Sequence, residues 1–369
     1  MRRLICFLAW LPALFIASAA LAADCVGNYN SLFLNDNVYD PNTGVWFSNV
    51  GDQLFVIQND SIRKVIRHGA KELDLSCNRR HQLVAHDLGK RVFLYRDGDL
   101  KPLPLRFEGA VEYTDGDFVY SMINSSDDGG QPYRLIYTRG GKSRYLALGY
   151  GMRHSGKLAY WTTERGEAIY RDGRQVKFLS PPKGAEKWVG MGYGDYRQCG
   201  SNDLLSGGMD KQVLRSGGRL QYLEIPGAVW GVGFTHRCRE FIVLFYDFPT
   251  KTGTLQSLRQ GPDKPIFKPI KSPCSVESFS ANPDGSIYYR CGNTFYYKNA
   301  ARTEDRKLGA IPTNIAFDFP LDNRWLPTPD HGVLYSYTEN YEPGHKQHAC
   351  FARLQKDRMV SIACPEVRK

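Results

Sequence analysis

The chain has 369 residues, 41.8 kDa, with 42% hydrophobic, 23% charged and 13% aromatic residues. That length allows one large domain or two ordinary ones and excludes a disulfide-stapled miniature, while the composition excludes disorder and low complexity. A mean hydropathy of −0.42 with one long apolar run excludes a polytopic membrane protein, and the formal net charge of +10 is spread singly, without the basic cluster or basic helix of a nucleic-acid site.

Arg2-Arg3 precede an apolar stretch from Leu4 to Ala20 that Pro12 and Ser18 interrupt, and Ala20-Leu21-Ala22 offers the small-x-small pattern of signal cleavage. Residues 1–22 are therefore expected to be a signal peptide cut near Ala22. Residues 23–369 are then one exported domain, periplasmic or secreted, with no transmembrane segment in the mature chain. Removal of the signal takes two of 48 basic residues and none of 38 acids, so the mature charge is 46 minus 38, or +8. Such a balance can steer the protein towards anionic envelope surfaces or an acidic partner.

Few segments of the mature chain carry a helical apolar period. Short runs of Val, Ile, Tyr, Phe and Leu alternate instead with Gly, Asp and Asn, as strands and turns do. One phrase recurs: Val65-Ile66-Arg67-His68-Gly69, Leu94-Tyr95-Arg96-Asp97-Gly98, Ile136-Tyr137-Thr138-Arg139-Gly140, Ile169-Tyr170-Arg171-Asp172-Gly173 and Val213-Leu214-Arg215-Ser216-Gly217. Looser copies follow at Ser257–Gly261, Tyr296–Asn299 and Arg353–Lys356. From Gly69 to Lys356 the mean interval is about 41 residues, the period of a four-stranded propeller blade. Each phrase is read as an outer hairpin. The glycine-rich segments Gly149–Met152, Gly190–Gly194 and Gly231–Phe234 are read as inner strands, where backbones crowd.

On these repeats the chain resembles the β-propeller superfamily across nearly all of residues 25–369, at the level of architecture. The expected fold is all-β: a single β-propeller of seven, or eight, four-stranded blades, with seven preferred. A pair of β-sandwiches is the alternative. The Trp-Asp dipeptide and the sialidase Asp-box are absent from the sequence, and Ser280–Gly285 resembles the Pro-Asp-Gly turn of TolB-like propellers once.

Eight cysteines remain after the signal, an even number that suits disulfides in an oxidising compartment. Cys274 and Cys291 flank the turn at Asn282–Gly285, and Cys350 and Cys364 lie evenly about Lys356-Asp357, so these two pairs are expected. Cys25–Cys77 and Cys199–Cys238 are left as the weaker pairs. No CxxC occurs, which removes the redox-site and zinc-ribbon readings.

Catalytic motifs are sparse. Gly-x-Ser-x-Gly, HExxH and a phosphate loop opening a helix are absent. His345 and His348, Asp127-Asp128, His86-Asp87 and Asp330-His331 read as surface or structural polar groups, so no catalytic residue, cofactor or metal is assigned. The leading function is a non-enzymatic module binding a protein partner in the cell envelope, of envelope-assembly or immunity/inhibitor type. The alternative is a hydrolase or lyase acting on a sugar, lactone or peptide. It would use Arg153, His154, Asp195, Arg197, His236 and Asp318 at the channel mouth.

Overall fold

The computed structural model describes residues 26–27, 37–70, 73–78, 82–87, 91–124, 132–149, 151–155, 158–163, 165–179, 196–199, 202–206, 211–216, 219–224, 228–235, 240–247, 249–259, 266–282, 284–312, 325–339 and 347–367. Among them are eight antiparallel sheets and no helix. In chain order the sheets span 26–67, 73–102, 110–149, 151–179, 196–224, 228–270, 278–310 and 325–367. Six have four strands in simple up-and-down order. Sheet one adds a short strand, Val26–Gly27, on its inner side, and sheet eight adds Glu366–Val367 beside its third strand. Eight is the larger of the two blade numbers that the repeat allows.

The inner strands are Asn37–Asp40, Leu73–Cys77, Ala110–Thr114, Gly151–Ser155, Tyr196–Cys199, Ala228–Thr235, Ser278–Ala281 and Trp325–Pro327. From sheet three to sheet seven each inner strand touches the next, and that of sheet one touches those of sheets two and eight. Crowding there is visible at Gly233, where a Cβ would lie 2.8 Å from the Ala281 Cβ of the following sheet. This is the close approach expected of Gly231–Phe234 as an inner strand. Gly149 instead ends the outer strand of sheet three, with Gly151-Met152 opening the inner strand of sheet four, and Gly190–Gly194 lie outside the described residues.

A sheet with two apolar faces needs a neighbour on each side. The second strands show why: Leu83–Asp87 is buried along its whole length, and Glu240–Asp247 along its first six residues. The apolar clusters accordingly sit between consecutive sheets. Val38, Phe47 and Leu54 of sheet one pack with Leu73, Leu75 and Phe93 of sheet two. Phe295 and Leu308 of sheet seven pack with Trp325, Tyr335 and Leu354 of sheet eight.

The last sheet packs on the first. Trp46, Phe55 and Ile57 form one cluster with Leu326, Leu334 and Phe351. The Phe351 ring lies 5.4 Å from Trp46, edge-on, and 4.9 Å from Phe55. The buried Asn37 amide donates to Ser336 Oγ at 3.2 Å, and Trp46 Nε1 donates to Asn37 Oδ1 at 3.0 Å. Arg353 of sheet eight pairs with Asp60, in a turn of sheet one, at 2.8 Å.

The outer strands are Ser61–Arg67, Asp99–Pro102, Lys142–Gly149, Arg174–Leu179, Arg219–Glu224, Ile266–Ile270, Asp305–Ala310 and Arg358–Ala363. Most of the recurring phrases end the strand before them, as read. Two-residue turns with positive φ at both positions follow at Asp97-Gly98, Gly140-Gly141, Asp172-Gly173 and Lys356-Asp357, as type I′ hairpins require. The first phrase is the exception. The outer turn of sheet one is Asn59-Asp60, which meets the same φ requirement without glycine. Val65–Arg67 lies within the outer strand itself, and Gly69 belongs to the connection to sheet two.

Both leading disulfides are formed, Cys274–Cys291 and Cys350–Cys364. The first ties the connection before sheet seven to that sheet's second strand, and the second closes the outer hairpin of sheet eight. Cys77 is also disulfide-bonded. Cys25 and Cys238 lie outside the described residues, and Cys199 ends the inner strand of sheet five.

Closure of sheet eight on sheet one predicts an asymmetric response to truncation. Phe351→Ala should destabilise the chain by ~3–5 kcal/mol through a cavity in a seam it shares with Trp46 and Phe55. Val360→Ala, on the exposed outer strand of the same sheet, should stay within ~0.5 kcal/mol. Chemical denaturation of the two variants checks the difference.

Candidate functional site

Of the six channel-mouth candidates, Arg153 and His154 lie on the inner strand of sheet four and Arg197 on that of sheet five; these strands are in contact. Asp195, His236 and Asp318 lie outside the described residues, as do Asp127, Asp128 and His345. His348 is on the surface of sheet eight, its Nδ1 3.2 Å from the Cys364 carbonyl. His331 Nδ1 is 3.4 Å from the Tyr288 hydroxyl, whereas the neighbouring Asp330 pairs with Arg353. The two are not a dyad.

His86 and Asp87 separate in the same way, because successive strand residues face opposite sides. Asp87 binds Arg91, through its main-chain N–H at 2.9 Å and its Nε at 2.6 Å. His86 faces Asp74, its register partner on the inner strand, with Nε2 3.7 Å from Oδ2. Burial pushes the imidazole down to about 4. Across the seam, Glu112 is the extra residue of a bulge in the inner strand of sheet three, between Val111 and Tyr113. Burial, reinforced by the Asp74 carboxylate, pushes Glu112 up to about 7. Sheets two and three thus hold between them a neutral imidazole and a carboxyl that exchanges its proton near neutral pH. Nothing in the local sequence announced this trio, since three strands of two sheets supply it. Among the described residues, no group of three His, Cys, Asp or Glu could hold a metal ion.

A cleft of about 310 Å³ opens where hairpins of sheets two, three and four meet. Asp115, Asp117 and Asp172 line it with Arg139, Asn78 and Gln82, and Leu94, Leu103 and Phe118 supply apolar wall. The Asp115 carboxylate shapes the turn by accepting the N–H groups of Asp117 at 3.0 Å and Phe118 at 3.3 Å. The Asp172-Gly173 turn of sheet four is locked onto sheet three. Gly173 N–H donates to the Tyr120 hydroxyl at 2.9 Å, and Arg144 donates to the Gly173 carbonyl. Gly173 combines a φ of 71° with a position where a Cβ would run into the Tyr137 ring, so only glycine fits. Burial pushes Tyr120 up to about 12 and raises Tyr137 as well. The turns of this cleft were legible as turns. Their convergence was not, because Asn78, Asp117 and Asp172 come from three different sheets.

No protein-family model matches the chain, and no curated protein does. Solved structures do. One described as "Crystal structure of the eukaryotic initiation factor" superposes with a TM-score of 0.53 at 11% identity, over 92% of this chain and 90% of that one. The "Mitotic Checkpoint Complex" structure gives a TM-score of 0.46 at 10% identity, over 79% of this chain and 96% of that one. A putative TolB from Agrobacterium tumefaciens gives 0.36 at 9% identity, over 61% and 85%. At these identities the first likeness concerns the fold alone, and the other two carry no argument. The fold is that of a β-propeller. Fold by itself assigns no activity.

The trio between blades two and three makes a signed prediction. Glu112 has its folded value raised from 4.5 to about 7, so its burial costs nothing below pH 4.5 and progressively more as pH rises to about 7. Glu112→Gln should therefore match the native protein near pH 4.5 and exceed it by up to ~3 kcal/mol at pH 8. His86 acts in the opposite sense, since its lowered value removes stability as pH falls from 6.5 to about 4. Denaturation curves from pH 4 to 8 separate the two: in the Gln variant only the acid-side loss should remain.

Proposed function

We propose that the protein is an exported, non-enzymatic β-propeller that binds a protein partner in the cell envelope. Roles of the envelope-assembly or the immunity/inhibitor kind fit this reading. The signal-like residues 1–22, the paired cysteines and the absence of recognised catalytic motifs support it, and no helix among the described residues is long and apolar enough to cross a membrane.

The observation that carries the reading is the cleft. Three carboxylates, Asp115, Asp117 and Asp172, outnumber the one lining cation, Arg139, and stand beside apolar wall from Leu94, Leu103 and Phe118. An Arg or Lys side chain of a partner would lay its stem along that wall and its charge against the carboxylates. A hairpin-locked rim loses little ordering entropy on binding, which favours a tight complex.

The alternative is a hydrolase or lyase acting on a sugar, lactone or peptide at the channel mouth. The adjacency of the strands carrying Arg153, His154 and Arg197 favours it, as does a carboxyl at Glu112 that titrates near 7. An enzyme would lose turnover without unfolding in Asp195→Ala and His236→Ala.

Crosslinked pull-down from envelope extract, with residues 23–369 as bait, tests the main reading. One stoichiometric protein should dominate, and Asp117→Lys, at an exposed position, should weaken its capture by about tenfold or more. A bait that returns no partner, or a partner indifferent to Asp117→Lys, refutes the assignment.

A further inference from the structure

The large hydrophobic side chains exposed among the described residues all lie on outer strands: Val65, Tyr145 and Leu148, Val176 and Phe178, Ile266, and Val360. Charge is segregated the same way. The eight outer strands carry thirteen Lys and Arg against three acids, Asp99, Glu224 and Asp305. The eight inner strands carry Asp40, Asp74 and Glu112 against Arg153 and Arg197. The third strands add nine Lys and Arg against the single acid Glu167, so the positive excess of the strands lies on the outer half of each blade.

The rim is densest on blades three and four. Tyr145 is 54% exposed and Val176 52%, with Leu148 and Phe178 exposed beside them. Lys142, Arg144, Arg174 and Lys177 flank them, and neither strand contains an acid. Arg144 reaches the turn that begins the neighbouring outer strand, so the two strands are held to each other.

An exposed edge strand usually invites another strand, but these edges are built to refuse one. In five sheets the outer strand bulges, with Arg63, Leu146, Val176, Leu308 and Ile362 as the extra residues. Bulges and basic side chains are the devices that block edge pairing. Backbone pairing, the source of affinity for an extended peptide, is thereby weakened. What remains is a side-chain surface of cations interleaved with aliphatic and aromatic groups. A surface of that chemistry complements phosphate headgroups over an apolar interior, which require neither register nor a pocket.

We infer that the rim of blades three and four docks the propeller on an anionic phospholipid bilayer. Lys142, Arg144, Arg174 and Lys177 sit over the phosphates, and Tyr145, Leu148, Val176 and Phe178 enter the interface. The rim adjoins the partner cleft at the Asp172-Gly173 turn, which Arg144 also holds, and none of its outer-strand side chains belongs to the cleft lining named above.

Co-sedimentation of residues 23–369 with vesicles tests it, comparing phosphatidylcholine alone with phosphatidylcholine containing phosphatidylglycerol. Binding should require phosphatidylglycerol and weaken with salt. Arg174→Gln/Lys177→Gln should reduce the partition coefficient by ~25-fold, as loss of two surface cations implies. Val176→Ser/Phe178→Ser should reduce it while leaving the salt dependence unchanged, and both variants should melt as the native chain does. Absence of binding to the anionic vesicles overturns the inference, as does equal binding to neutral ones or indifference to the Gln pair. Capture of an acidic protein by the same four cations, without vesicle binding, overturns it too and assigns the rim to protein.

Discussion

The contact on which the rest of the architecture depends is the one between the last sheet and the first. A four-stranded sheet with two apolar faces cannot be half-covered, and a linear row of eight would leave one naked face at each end. Phe351 against Trp46 and Phe55 removes both ends at once, with the Asn37–Ser336 bond beside it spanning 299 residues. Inside the resulting ring, position along the radius sets the composition of each strand. Second strands, covered on both faces, become near-continuous apolar runs, whereas outer strands, open to water, mix Lys and Arg with Val and Ile.

Charged groups between blades obey a stricter rule than those on the rim. Glu240, almost fully buried, is held by Arg259 of its own sheet at 3.0 Å and by Arg302 of the next. The fully buried Arg290 meets Glu277 at 3.2 Å, and buried Lys298 meets Asp305 at 2.7 Å. Such pairs add little net stability. Those within a blade fix its strands, and Glu240–Arg302, which crosses from sheet six to sheet seven, also penalises any other angular setting of the two blades, because displacement would strand a buried charge. The trio of Asp74, His86 and Glu112 departs from that rule. Burial shifts two of its three members towards their neutral forms, His86 downward and Glu112 upward, which is the alternative that burial allows.

Much of this was legible in the sequence where a local requirement fixes residue type. Asp-Gly and Gly-Gly turns announce hairpins because two successive positive φ values exclude most side chains, and cysteines placed evenly about such turns announce their partners. The first repeat shows the limit of that rule: Asn59-Asp60 satisfies the φ requirement without glycine, and Gly69, which the repeat marks, lies beyond the outer strand. Blade number was harder, since the intervals between repeats vary with connection length while each blade keeps its four strands. The site lay further from view. Asp74 and Glu112 are 38 positions apart, and the cleft joins residues from Asn78 to Asp172. Nothing in either stretch marks them, because only the packing of one blade on another brings them together.

Radial segregation of charge also changes how the net charge should be understood. A uniformly basic protein would repel every cation equally. Here the carboxylates of the cleft stand at hairpins between blades, and the Lys and Arg excess lies on strands that face outward. At physiological ionic strength charges are screened beyond about 8 Å, so most of the rim presents its own sign, and the two signs meet only along the Asp172-Gly173 turn, where Arg144 and Arg174 stand beside the cleft. On the proposed reading, basic bulged edges that disfavour strand pairing leave recognition of a partner's cation to the cleft. A formal excess of +10 is in this sense two statements, a repulsive and lipid-compatible rim and a locally acidic pocket, which the sum conceals.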